Sequence, residues 1–136
     1  RLHEVQAAIL ALKLKHMDRW IDRRRQLADQ YQSMLGDVLK LPVEAPGNRH
    51  AWYVYVARHP DRDRIIEELK KSDILLNISY PWPISIMPAY AHLGYSEGDL
   101  PVTESAAKEI FSLPMYPQLS DGDQETVCNA IRKIAG

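Results

Sequence analysis

The groups most able to bind a small molecule sit together in Asn77-Ile78-Ser79-Tyr80-Pro81-Trp82-Pro83-Ile84-Ser85. An amide, two serine hydroxyls, a phenol and an indole leave a predicted strand and enter a loop. Pro81, Pro83 and Pro88 fix φ and remove backbone donors there, so no regular ladder fits around Trp82. Stiff loops on a rigid scaffold concentrate binding residues. The segment, with Ser79, Tyr80, Trp82 and Ser85 among its side chains, therefore reads as a pocket-lining loop. A second reading stays open, in which Tyr80 and Trp82 plug the core beneath the loop.

Elsewhere the residue types offer little chemistry. The six glycines are scattered singly, so no phosphate-cradling loop is present. His3, His16, His50, His59 and His92 lack metal-ligand spacing, and no metal is expected. Cys128 lies beside the apolar stripe of the last predicted helix and reads as a small, half-buried hydrophobe. None of the seven lysines has an apolar setting that would lower its pKa for Schiff-base work. No complete active site is legible, and no catalytic residue is assigned.

These residues need elements to hold them. Leu2 to Leu35 contains neither Pro nor Gly, and Gly36 supplies a stop. Two apolar stripes, one through Val5 and Ile9 and one through Leu14, Met17, Ile21, Ala28, Tyr31 and Leu35, overlap near residues 9–14. The buried face changes there, and a bend fits between them. A helix of that length spans about 50 Å, whereas a domain of this size has a radius of gyration of about 14 Å. Its first turns need an upstream domain or a partner to lie on. The absence of an initiator Met and the uncapped Arg1 read in the same way, as a piece of a longer polypeptide. Asp18, Asp22 and Asp29 interleave with Arg19 and Arg23-Arg24-Arg25 and neutralise them, leaving a solvated or interface face.

Leu41–Pro46 reads as a short extended segment before a Gly47-Asn48 turn. Ala51–Ala57 is the strongest strand pattern, apolar on both faces, and Ile74–Ile78 is a second. A helix between them carries Ile65, Ile66 and Leu69, with Lys70 and Lys71 at its carboxyl end. A helical turn over Ala89–Leu93 ends at Gly94, Pro101 opens another helix, and Leu113–Met115 adds a short strand. Ser120 with Asp123 forms a capping-box pattern for the last helix, whose apolar face is Val127, Ala130, Ile131 and Ile134. The fold class is α+β, a small, mostly antiparallel sheet of two to four strands covered by helices. The expected division is a linking helix over 1–36 and a small domain over 37–136.

Composition agrees with one globular domain: 136 residues, 46% hydrophobic and 26% charged. A net charge of −1 gives no field toward nucleic acid or a membrane surface. The apolar runs are too short to span a bilayer. A single cysteine cannot form an intrachain disulfide, and a reducing, cytoplasmic setting is the default.

The sequence resembles the DegT/DnrJ/EryC1/StrS aminotransferases. Arg1-Leu2-His3-Glu4-Val5-Gln6-Ala7-Ala8-Ile9-Leu10 resembles their N-x-R-L-x-E-x-Q-A-A-I-L helix. The likeness continues through His50-Ala51-Trp52-Tyr53 and is closest in Ile78–Pro83, Pro88-Ala89-Tyr90, Leu93-Gly94-Tyr95, Gly98–Pro101 and Ser112–Pro117. It implies the small carboxyl-terminal domain of a fold-type-I aminotransferase, with pyridoxal 5′-phosphate as cofactor of the full-length parent and none on this chain alone. The Schiff-base lysine would lie in an upstream large domain, and the full-length protein would be a homodimer with shared active sites. Arg1 matches an arginine near that shared site, and the resemblance makes Arg1, Ser79, Tyr80, Trp82 and Ser85 the candidate substrate-binding residues. The implied reaction passes an amino group, from a donor such as glutamate, to a nucleotide-linked keto sugar or keto cyclitol. Many members read I-H-Y-P-x-P-x-H through the pocket loop, whereas here both histidines are serines, Ser79 and Ser85. A serine hydroxyl hydrogen-bonds but does not carry charge at neutral pH, so the change bears on substrate identity. Two other classes remain: a non-catalytic relative that binds sugar or cofactor, and an independent α+β interaction module.

Overall fold

In the computed structural model, which describes residues 3–136, the expected amino-terminal helix is two helices. α1 spans Glu4–Leu14 and α2 spans Met17–Leu35. The helix breaks at Lys15-His16, just past the overlap of the two apolar stripes. No residue of α1 is buried, so Val5, Ile9, Leu10, Leu12 and Leu14 face outward. α2 instead buries Leu27, Ala28, Tyr31 and Leu35, spaced to share one helical face.

The sheet has two antiparallel strands, β1 (Tyr55–Arg58) and β2 (Ile110–Leu113), with Tyr55 opposite Leu113 and Ala57 opposite Phe111. Those four side chains are buried, while the alternate residues Val56, Arg58, Ile110 and Ser112 are half-buried, the expected period of two. Single bridges join Lys40 to Arg58 and Asn77 to Ser112. Thus Ile74–Ile78 meets the sheet edge at one point and is not the strand its residue types suggest. The prolines at 81 and 83 leave few donors to extend the pairing.

α3 (Arg62–Lys70) and α5 (Asp121–Ala135) close over the sheet together with α2. Ile65 and Leu69 of α3, Phe111 of β2, and Val127, Cys128 and Ile131 of α5 join Leu27, Tyr31 and Leu35 in one core. Cys128 is fully buried, deeper than the half-buried position read from its spacing. α4 (Pro101–Glu109) carries proline in its first turn, as expected. Short 3₁₀ turns occupy Ile84–Ile86 and Pro88–Leu93, and the second ends at Gly94 with φ +78°. Ser120 caps α5, its Oγ accepting from Asp123 N–H at 3.1 Å. Among the described residues, no helix is long and apolar enough to cross a membrane.

The arginine run of α2 is not a face neutralised along its own helix. Arg23 donates to Leu119 O at 2.7 Å and to Asp121 at 2.8 Å. Arg25 forks onto Glu44 and also donates to His50 O at 3.0 Å. Asp22 pairs with Arg49, not with its helix neighbours. Arg23 ties α2 to the start of α5, and Arg25 ties it to the segment from Glu44 to His50, which periodicity within the helix does not reveal.

Candidate functional site

The strand expected over Ala51–Ala57 begins only at Tyr55 because the chain turns at Trp52. There φ is +47°, in the left-handed region that bulky L residues rarely enter. Such a conformation costs on the order of 1–3 kcal/mol and persists where its surroundings over-determine it. The Trp52 ring is buried against His50 and Tyr55, and the backbone N–H of Trp52 donates to His50 Nδ1 at 2.9 Å. Tyr53, the next residue, consequently points out, with 78% of its surface exposed.

Tyr53 stands beside the proline loop. With Val56, Asn77, Ser79, Tyr80 and Ser112 it lines a cleft of about 460 Å³ at the edge of the sheet. Asn77 Nδ2 donates to Ser79 Oγ at 3.3 Å, holding two of the polar groups of that cleft together. A second concavity of about 380 Å³ lies on the other side of Tyr80, where Trp82 and Ser85 face Leu100, Thr103 and Ala106 of the α4 region. Tyr80 and Ile110 belong to both walls.

The four described candidates therefore fall on one loop but on two adjoining hollows. Ser79 lies in the first, Trp82 and Ser85 in the second, and Tyr80 between them. Arg1 lies outside the described residues. Tyr80 and Trp82 do not plug the core: they are 75% and 66% exposed, and the buried residue of the loop is Pro83. Two apolar rings held out in water on a proline-stiffened loop are poised to meet another surface or a ligand. The Ser85 Oγ is buried without a hydrogen-bond partner, an orphaned polar atom next to the second hollow.

Sequence reasoning missed Tyr53, Thr103 and Ser112 as lining residues. The signal for Tyr53 was present: a run apolar on both faces, Ala51–Ala57, too rich in aromatics for a two-stranded sheet to bury. Thr103 and Ser112 had none, since only the fold brings α4 and β2 beside the loop.

Among the described residues, no His, Cys, Asp, Glu, Lys or Arg lines either hollow. Burial pushes the Cys128 thiol up to about 11 and the Tyr55 phenol up to about 12, so both stay protonated and inert. Among the described residues no cluster of His, Cys, Asp and Glu could hold a metal ion. Every lysine is exposed, and none lines either hollow. The residues here do not fit the covalent seat of an aldehyde cofactor.

The described residues thus form an α+β unit with a stiff aromatic loop over two adjoining hollows. The profile of the DegT/DnrJ/EryC1/StrS aminotransferase family matches residues 1–132, and the chain belongs to that family. It is 51% identical over 140 residues to a dTDP-3-amino-3,4,6-trideoxy-alpha-D-glucose transaminase of Micromonospora megalomicea subsp. nigra, covering 98% of this chain and 37% of the relative. A pleiotropic regulatory protein of Geobacillus stearothermophilus is 43% identical, covering 99% of this chain and 37% of its own. The solved structure of S. venezuelae DesV in complex with a ketimine intermediate superposes with a TM-score of 0.95 at 38% identity, over 99% of this chain and 37% of that one. The chain thus spans about 37% of the length of the relatives it matches, a carboxyl-terminal portion of them.

Proposed function

We propose that this chain is the carboxyl-terminal portion of a pyridoxal-phosphate-dependent transaminase that moves an amino group, from a donor such as glutamate, to a nucleotide-linked keto sugar or keto cyclitol. The observation that carries this reading is the pairing of Tyr80 and Trp82, exposed on a stiff loop, with two hollows that hold only hydroxyls and an amide as polar groups. Binding without chemistry is what such a portion contributes when the reactive lysine sits elsewhere in the whole protein. The cofactor, when bound there, supplies the electron sink for amino transfer.

In this reading residues 1–36 link to an upstream large domain, and 37–136 form the small domain. The outward apolar side of α1 supports the linking role, because nothing among the described residues covers it. The whole protein works as a cytoplasmic homodimer, and Arg1 approaches the shared site. Ser79, Tyr80, Trp82 and Ser85 shape the mouth that receives the sugar. Serine at 79 and 85, where many relatives carry histidine, gives hydrogen bonds without charge and tunes which sugar enters.

The test is amine formation on a nucleotide-linked keto sugar by the whole protein, with Tyr80→Ala and Ser85→Ala alongside. The reading expects a higher Michaelis constant for the keto sugar in both variants. An unchanged constant in both removes the loop from the substrate mouth. A second reading draws on the Geobacillus relative's regulatory name: a family member that binds sugar or cofactor without turnover. It predicts binding of the sugar nucleotide with no amine produced.

A further inference from the structure

The left-handed turn at Trp52 carries more restraint than burial of its indole demands. The ring lies 4.0 Å from the His50 ring centre and 5.3 Å from that of Tyr55. The backbone N–H of Trp52 donates to His50 Nδ1, and the Trp52 carbonyl accepts from Arg24 Nη1 at 3.2 Å. The same nitrogen donates to Tyr53 O at 3.1 Å, and the Arg24 guanidinium carbon stands 5.7 Å from the centre of the Tyr53 ring. One side chain of α2 therefore grips both peptides of the turn and the face of the phenol beyond it.

An aromatic ring exposed to water and left free samples several rotamers, and a ligand that rests on it must order it. The Arg24 contact restricts that freedom in advance. The ring so held stands at the rim of the cleft that also presents Tyr80, Asn77, Ser79 and Ser112. Two phenol rings suit the C–H face of a sugar, and the amide and hydroxyls suit its oxygens.

We propose that Tyr53 is a substrate-wall residue of this cleft and that Arg24 is its positioning residue, the strained Trp52 turn aiming the phenol at the sugar ring. The proposal rests on the aminotransferase reading above and adds to its loop a wall from a different part of the chain.

The whole protein, loaded with cofactor, is titrated with dTDP-3-amino-3,4,6-trideoxy-α-D-glucose, and its half-reaction with glutamate is timed separately. Arg24→Ala and Tyr53→Ala are each expected to weaken sugar-nucleotide binding about tenfold while leaving the glutamate half-reaction within about twofold. The double variant is expected to be no weaker than Tyr53→Ala alone, because Arg24 acts through the ring. Arg132→Ala, which removes a comparable arginine grip on Asp37 and Met34 O elsewhere on α2's surroundings, is the control expected to bind normally. Losses that add in the double variant, or an equal loss in the glutamate half-reaction, show a merely structural Arg24 and overturn the proposal. Single variants that bind like the wild type overturn it while leaving the aminotransferase reading intact. A wild-type protein that neither binds nor turns over the probe overturns that reading, and the proposal with it.

Discussion

Single side chains of this protein are tuned toward inertness where they are buried and toward locking where they are charged. Cys128, with its thiol held near 11 by burial, is expected to resist iodoacetamide in the folded chain and to react on unfolding. Labelling at neutral pH that matches the unfolded control would contradict its placement. Glu44 shows the opposite treatment. The Arg25 guanidinium, then the His50 N–H, hold its carboxyl down from the ordinary 4.5 to about 2. A carboxyl depressed in the folded state contributes stability that is complete above about 4.5 and is lost as pH falls toward 2. Glu44→Gln should therefore flatten the pH dependence of unfolding in that window and change it little above. An unaltered acid limb in the variant would show that the pair contributes nothing to the fold.

Elements reveal which parts of the fold are local. The α5 cap was legible because Ser120 and Asp123 stand three apart before an apolar run, and the bond forms as that spacing implies. Ser120→Ala should lower stability by about 1 kcal/mol in thermal unfolding. Gly94 was equally legible: the left-handed end of the 3₁₀ turn suits glycine, and Gly94→Ala should cost about 1–2 kcal/mol even though the added methyl meets open space. A melting curve unmoved by either substitution would contradict these local accounts. The strands were less legible, because their extent depends on partners. Ala51–Ala57 has strand-forming side chains throughout, yet the chain turns at Trp52, whose carbonyl accepts from Arg24 28 residues away. Ile74–Ile78 has the residue types of a strand and finds only one bridge. The candidate loop was visible from its prolines and aromatics; its division into two hollows was not, since α4 and β2 form the other walls.

At the scale of the molecule, one core ties α2, α3, α5 and the two strands together, and α1 stands outside it. Amide exchange should separate the two amino-terminal helices accordingly. α1 is expected to exchange fast in this chain, while Leu27–Leu35 exchanges with the slowest core amides. In the whole protein, protection of α1 should rise as its apolar side finds cover. Equal protection of both helices in this chain would contradict the division.

The most direct test of the central claim is the visible absorption of the whole protein with pyridoxal phosphate added, recorded before and after glutamate. The account predicts a coloured protein whose band is lost as the cofactor takes up the amino group, regained on adding a nucleotide-linked keto sugar. A spectrum that glutamate and other amino donors leave unmoved would contradict a transaminase.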